Sequence, residues 1–244
     1  MREHLRKQFN VRSPVFDGSA SWITDKRLIQ AHVGLAGKPS GPALDLCCGT
    51  GQIGQGLKGN GWDVTGLDLS DNMLRASSRY FRVSQGSAEE MPFASGSFSL
   101  VICRQTFQFL DGARTLSEVK RVLKPGGVFI ISLTVPFSEE DKDWLCEIHS
   151  IKQPLLLKFY TSDGLLHELG AAGFSVMETK TLKVRESINN WMAHAPELLS
   201  EVKNKVISMV GEAPAAYKKL HNVETVRGEV FEDWNWVVFK AAVR

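Results

Sequence analysis

The chain has 244 residues, 43% hydrophobic and 23% charged, with 29 Lys and Arg against 27 Asp and Glu. That length supports one sizeable domain with room for an insertion, and the composition excludes a disordered chain or a coiled coil. A net charge of +2 does not imply nucleic-acid binding unless it clusters, and the densest basic run, Lys218-Lys219 with His221, reads as a solvated helix face.

No apolar run reaches the roughly 18 residues that cross a bilayer. The opening MREHLRKQFN is charged and lacks the apolar centre of a signal peptide. Cys47, Cys48, Cys103 and Cys146 follow neither a disulfide framework nor a metal-ligand spacing. A reducing, cytoplasmic location is the expectation.

In chain order, the first 40 residues are expected to form helices, with ITDKRLIQAHV showing helical spacing. PALDLCC then reads as a buried parallel strand ending in glycines, followed by a helix over 53–58 that GNG at 59–61 terminates. WDVTGLDLS is a second strand, and Ser70 caps SDNMLRASSRYF as a helix. RVSQGSA and FSLVICRQ are the third and fourth strands. A helix over 113–123 stops at Pro125-Gly126-Gly127, and GVFIISL is the fifth strand. Further on, 161–172 reads as a helix capped at Thr161 or Ser162, and GFSVMETKTLKV as a strand. Residues 187–222 read as helical with breaks at Pro196 and Pro214, and EDWNWVVFKAAV as the last strand. This alternation predicts an α/β fold with a doubly wound, mostly parallel seven-stranded sheet whose last strand is antiparallel. Residues 1–40 would form a helical cap and 41–244 the main domain, with a helical lid at about 186–222.

LDLCCGTGQIGQGL holds the central ambiguity. Gly49-x-Gly51-x-x-Gly54 matches a dinucleotide fingerprint, and Asp68, 19 residues past Gly49, suits an acid accepting hydrogen bonds from ribose hydroxyls. Both features serve a nicotinamide-dependent oxidoreductase equally well. Asp45 separates the readings: a carboxylate beside a pyrophosphate site costs like-charge repulsion, whereas S-adenosylmethionine (SAM) carries a sulfonium and an ammonium and no phosphate.

From LDLCCGTGQIGQGL through VTGLDLSDNML and QGSAEEMPFASGSFSLVICRQTFQFL to EVKRVLKPGGVFIISL, the sequence resembles the class I SAM-dependent methyltransferases. It is most similar to the small-molecule group that includes the ubiquinone and menaquinone C-methyltransferases. The resemblance implies SAM as cofactor and a Rossmann-like fold. It implies that Gly49 and Gly51 let the backbone approach the methionine part, that Asp45 binds the ammonium, and that Asp68 holds the ribose. Cys47 stands where the family loop usually has a glycine; related quinone-pathway sequences also carry two cysteines there, so the resemblance implies that cofactor binding is kept. Leu69 and Met73 would flank the adenine or else serve as helix-packing residues. Ser87 and Ala88 would meet its amino edge, the family often having Asp at the first of these positions. Arg104 and Gln105 would lie beside the sulfonium.

Methyl transfer is an in-line displacement, so alignment is the protein's main task and a general base is optional. His194 in NNWMAHAPE is a candidate base or substrate-orienting residue, or else a helix-terminal histidine; His149 and His167 sit in ordinary helical contexts. Trp191 would wall an apolar or aromatic acceptor or simply pack the lid, with Trp22, Tyr160 and Phe16 as weaker candidates. Arg104 would either orient an anionic acceptor or pair with a nearby carboxylate. Cys103 lacks the preceding proline of cytosine-5 methyltransferases and reads as a buried strand thiol, and CRQT is not the Asn/Asp-Pro-Pro-aromatic run of amino-methylating DNA enzymes. The function expected is methyl transfer from SAM to a small molecule, with an aromatic or quinol-like acceptor as the specific candidate. The rivals are an NAD(P)-dependent oxidoreductase and a SAM-binding protein without transferase activity.

Overall fold

The computed structural model describes residues 1–193 and 195–244; His194 lies outside the described residues. Its sheet is built from β1 (Pro42–Leu46), β2 (Asp63–Asp68), β3 (Arg82–Gln85), β4 (Phe98–Arg104), β5 (Leu123–Thr134), β6 (Phe174–Ser187), β7 (Glu224–Val226) and β8 (Glu229–Val243). The strand order is β3-β2-β1-β4-β5-β8-β6, with β7 paired to β8. Strands β1 to β5 run parallel, and β8 runs antiparallel between β5 and β6. Among the described residues the sheet therefore has eight strands rather than seven. The extra one, β7, forms a hairpin with β8 through Arg227 and Gly228, both at positive φ (52° and 83°), the backbone that a two-residue hairpin turn requires.

The helices are α1 (Arg2–Arg12), α2 (Ser21–Thr24), α3 (Lys26–Ala36), α4 (Gln52–Gly59), α5 (Asp71–Ser77), α6 (Gly112–Val122), α7 (Lys142–Lys152), α8 (Ser162–Ala171), α9 (Ile188–Ala193), α10 (Ser200–Gly211) and α11 (Ala215–Leu220). The single helix expected over ITDKRLIQAHV is two. Asp25, extended at ψ 112°, ends α2 and accepts from the backbone N–H groups of Arg27 and Leu28, capping α3. Ser70 and Thr161 cap α5 and α8 through their hydroxyls. Among the described residues no helix is long and apolar enough to cross a membrane.

Strands β1 and β4 are buried along nearly their whole length, because helices cover both faces of the sheet; this is why they read as unbroken apolar runs. One core layer gathers Leu57, Leu100, Ile102 and Trp236, and the opposite layer Leu44, Val101, Phe129 and Phe239. Strand order reverses between β1 and β4, so their carboxyl ends, with that of β2, open a crevice where ligands of such sheets bind. Asp45, Asp68 and Arg104 sit on these three strand ends.

The helical segment between β6 and β8 is tied down by a buried histidine–carboxylate contact. His221 Nε2 lies 2.8 Å from an Asp141 carboxylate oxygen and Nδ1 lies 3.1 Å from the Asp233 carbonyl, while the ring stacks on Tyr217 at 3.9 Å. The expected solvated face around Lys218-Lys219 thus excludes His221, which is 1% exposed.

Candidate active site

The crevice is a cleft of about 840 Å³. Its floor is the loop after β1. There Cys47 adopts φ 56°, a left-handed conformation that a side chain disfavours, at the position where the related loops usually carry glycine. Gly49 lines the cleft at φ 51°, with Phe16 packed 3.9 Å from where a Cβ would sit. Gly51 is different. Its φ is 92°, and a Cβ there would meet Ser77 Cβ at 2.9 Å and Phe81 at 3.0 Å, so its missing side chain makes room for α5 and Phe81 rather than for a ligand. Gly51→Ala is expected to destabilise the fold by about 2 kcal/mol, combining backbone strain with overpacking, as a lower urea midpoint at unchanged slope would report. Gly54 is likewise a packing residue: a Cβ would lie 2.3 Å from Phe81.

Asp45 is 3% exposed and accepts from the Gly54 N–H at 2.8 Å. Burial pushes its carboxyl up to about 7, against the Gly54 hydrogen bond and the charge of Arg104, which pull it down. Asp68 accepts from the backbone N–H groups of Gly49 and Ser70, both at 2.9 Å, and burial raises its pKa as well. A carboxylate has about four lone-pair sites, so Asp68 keeps acceptor capacity beyond these two bonds. This arrangement fits SAM: Asp45 and Asp68 line the cleft, and Asp45 already occupies an N–H at the amino end of α4 that a pyrophosphate would need.

Arg104 also lines the cleft, but its guanidinium is engaged. It donates to the carbonyls of Trp22 (3.2 Å) and Ile23 (3.1 Å) and lies over the Trp22 ring at 5.0 Å. Burial lowers its pKa to about 10, so it stays charged at neutral pH, with Asp45 as an electrostatic neighbour. Gln105 adopts φ 52° and is locked to β5: its amide donates to Thr134 Oγ1 at 2.7 Å and its carbonyl oxygen accepts from the Thr134 N–H at 2.8 Å. Such strain at a strand end marks a site whose surroundings impose it.

Leu69 and Met73 line the cleft. Ser87 and Ala88 do not. Ala88 packs into the core beside Leu67 and Met91, and the Ser87 hydroxyl accepts from the Glu89 N–H. Leu5, Arg6 and Phe9 of α1 line the cleft in addition. That helix is held by Arg2 on Glu89 and Glu90, Arg6 on Asp71, and Asn10 on Ser70 and Asn72. No motif announces these residues; only the N-terminal helical pattern hinted that something would cover the sheet.

A second cavity, of about 600 Å³, adjoins the cleft and shares Phe9, Phe16, Trp22, Gln105 and Phe109 with it. Trp191 and Trp234 complete its aromatic wall, their rings edge-to-face at 5.0 Å. Buried Glu232 fixes Trp234 by accepting from its indole N–H at 2.8 Å, while its other oxygen accepts from Tyr217. Glu186, also buried, accepts from the N–H groups of Ser21 and Trp22 at 2.7 Å and so sets α2 and the Trp22 ring. Tyr160 lies off both linings: it packs on Phe107 and donates to Glu168. Cys103 is a buried strand thiol. His149 lines this chamber, and burial lowers its pKa to about 3, so it is neutral.

A doubly wound sheet with a cleft at its switch point, floored by a glycine-rich turn and lined by carboxylates at the ends of the first two strands, is the architecture of the class I SAM-dependent methyltransferases. Comparison with known proteins agrees. Residues 44–131 match the family described as "Methyltransferase domain". A demethylmenaquinone methyltransferase of Lysinibacillus sphaericus is 31% identical over 146 residues, covering 52% of this chain and 61% of the relative. A solved Bacillus halodurans structure superposes with a TM-score of 0.78 at 20% identity, covering 87% of this chain and 97% of the other. Geranyl diphosphate C-methyltransferase from Streptomyces coelicolor, solved with Mg2+, geranyl diphosphate and S-adenosylhomocysteine, gives 0.61 at 15% identity, covering 90% and 78%. These two likenesses show the fold alone. Over residues 44–131 the chain thus resembles methyltransferase domains, including those of enzymes named demethylmenaquinone methyltransferase. The chain spans about half the length of the curated relatives it matches.

Proposed function

We propose that the protein transfers the methyl group of SAM to a small-molecule acceptor with an aromatic or similarly flat apolar body. The observation that carries this reading is the aromatic chamber contiguous with the cofactor cleft, with Trp22 and Phe109 in the walls of both. SAM supplies an electrophilic methyl when bound. The chain's own part is positioning: Asp68 would hold the ribose, Asp45 the ammonium side, and Gln105 the boundary between donor and acceptor. Residues 1–40 and about 186–222 act as cap and lid in this reading, since Phe9, Phe16 and Trp22 come from the first and Trp191 from the second. The chamber's size and a net charge of +2 favour a small molecule over nucleic acid, and four free cysteines suit a reducing cytoplasm.

Calorimetry tests the donor half. S-adenosylhomocysteine is expected to bind while NAD and NADP give no heat; the reverse pattern sinks the reading. Transfer of labelled methyl from SAM to aromatic hydroxy compounds tests the acceptor half, and donor binding without any turnover would leave a SAM-binding protein.

A further inference from the structure

The acceptor chamber contains a buried amine with no hydrogen-bond or ion-pair partner among the described residues. Lys152, the last residue of α7, lines the cavity at 4% exposure. Its Nζ sits over the Trp191 ring at 4.2 Å. Arg12, the other cationic residue of the lining, is satisfied by Glu197 and Gln153, and among the described residues the lining contains no Asp or Glu. A buried amine without a partner is costly, and such groups persist at functional sites where a ligand completes them.

We propose that Lys152 is a catalytic residue that takes the proton of an acidic hydroxyl, phenolic or enolic, on the acceptor and then holds the resulting oxyanion. The proposal rests on the methyltransferase reading above and extends it to the acceptor's chemistry. In the step, the acceptor's O–H bond breaks, the proton joins the Nζ lone pair, and the electron pair remains on oxygen. The new ammonium is stabilised by the oxyanion and by the Trp191 face.

Charge balance favours a hydroxyl over a preformed carboxylate. Burial lowers the Lys152 pKa well below its ordinary value. Arg12 on α1 and Lys203 on α10 push it the same way, while Glu197 and Glu186 oppose them. Neighbouring His149 is neutral. Burial and these neighbours thus shift the amine toward its uncharged, proton-accepting form. A neutral hydroxyl brings its own proton, so the chamber's net charge does not change, whereas a carboxylate would need a proton imported from water. The aromatic walls suit the ring that makes such a hydroxyl acidic.

The test uses 4-nitrophenol, whose phenolate is yellow, on the full chain saturated with S-adenosylhomocysteine. In the wild type the bound probe is expected to ionise at lower pH than the free probe. Lys152→Met, which keeps the length of the side chain and relieves the buried amine, should abolish that shift. The expected difference between the two proteins is about one pH unit, tenfold in proton affinity. Lys152→Gln serves as a second variant, and the wild-type spectrum decides by itself if neither folds. A wild type that leaves the probe's ionisation unshifted or raised, or that binds S-adenosylhomocysteine but no phenol, overturns the role of Lys152 and leaves the donor reading intact. Failure to bind S-adenosylhomocysteine removes both.

Discussion

Asp68→Ala is expected to weaken S-adenosylhomocysteine binding about 10- to 150-fold, the equivalent of charged hydrogen bonds worth about 1.5–3 kcal/mol. The carboxylate stands at the carboxyl end of β2, lines the cleft, and is itself fixed by the Gly49 and Ser70 N–H groups. It is therefore already oriented when a ribose arrives, and little ordering opposes the contact. Removing it also releases the Gly49 N–H, so the loop loses one of its anchors. Asp68→Asn separates the two effects: its amide oxygen still accepts from a backbone N–H, but the charge is gone, and intermediate affinity is expected. Calorimetry on variants whose thermal unfolding remains cooperative provides the measurement. Affinity within a factor of two of wild type for Asp68→Ala would refute the assignment of the ribose site.

The parts of this site that were legible in the sequence are those written in contiguous chain. Asp45, Gly49 and Asp68 belong to one strand–turn–helix–strand unit whose burial imposes an unmistakable pattern, and each lines the cleft. The loop glycines were only partly legible. Spacing identifies them but not their reasons, and Gly51 and Gly54 turn out to accommodate Phe81 and Ser77. Cap signals such as Ser70 and Thr161 located helices well, because a side-chain hydroxyl three residues before an N–H is a local rule. The acceptor chamber follows no local rule. Its wall draws on α1, α2, α7, α9 and β8, and each contributor reads alone as an ordinary core aromatic or a solvated base. Trp191 was visible as an aromatic beside a polar run. Lys152 was not, because α7 carries no motif and only the tertiary fold strips that lysine of water and of partners. Tyr160, Ser87 and Ala88 lie outside the linings of both cavities, a matter of which way the chain faces that the sequence does not encode locally.

Asp45 should make donor binding pH-dependent, and the sign follows from its burial. Its folded pKa, about 7, lies above its ordinary 3.8, so between these values the folded protein binds a proton that the unfolded chain has lost. This group's contribution to stability is complete below pH ~4 and disappears as pH rises to about 7, by at most roughly 4 kcal/mol. Asp45→Asn removes that decline and should flatten the stability profile across the window. Ligand binding runs the other way. The ammonium of S-adenosylhomocysteine favours the ionised carboxylate, so below pH 7 binding must expel the Asp45 proton. Affinity is then expected to tighten with pH, by at most about tenfold per unit, and to level off above about pH 7. Arg104 limits the effect because it already draws Asp45 toward ionisation. Calorimetry at pH 6 in two buffers of different ionisation enthalpy counts the protons directly: wild type should release close to one, and Asp45→Asn none. Equal proton release from both would mean that Asp45 does not face the ammonium and serves only to anchor the Gly54 N–H at the start of α4.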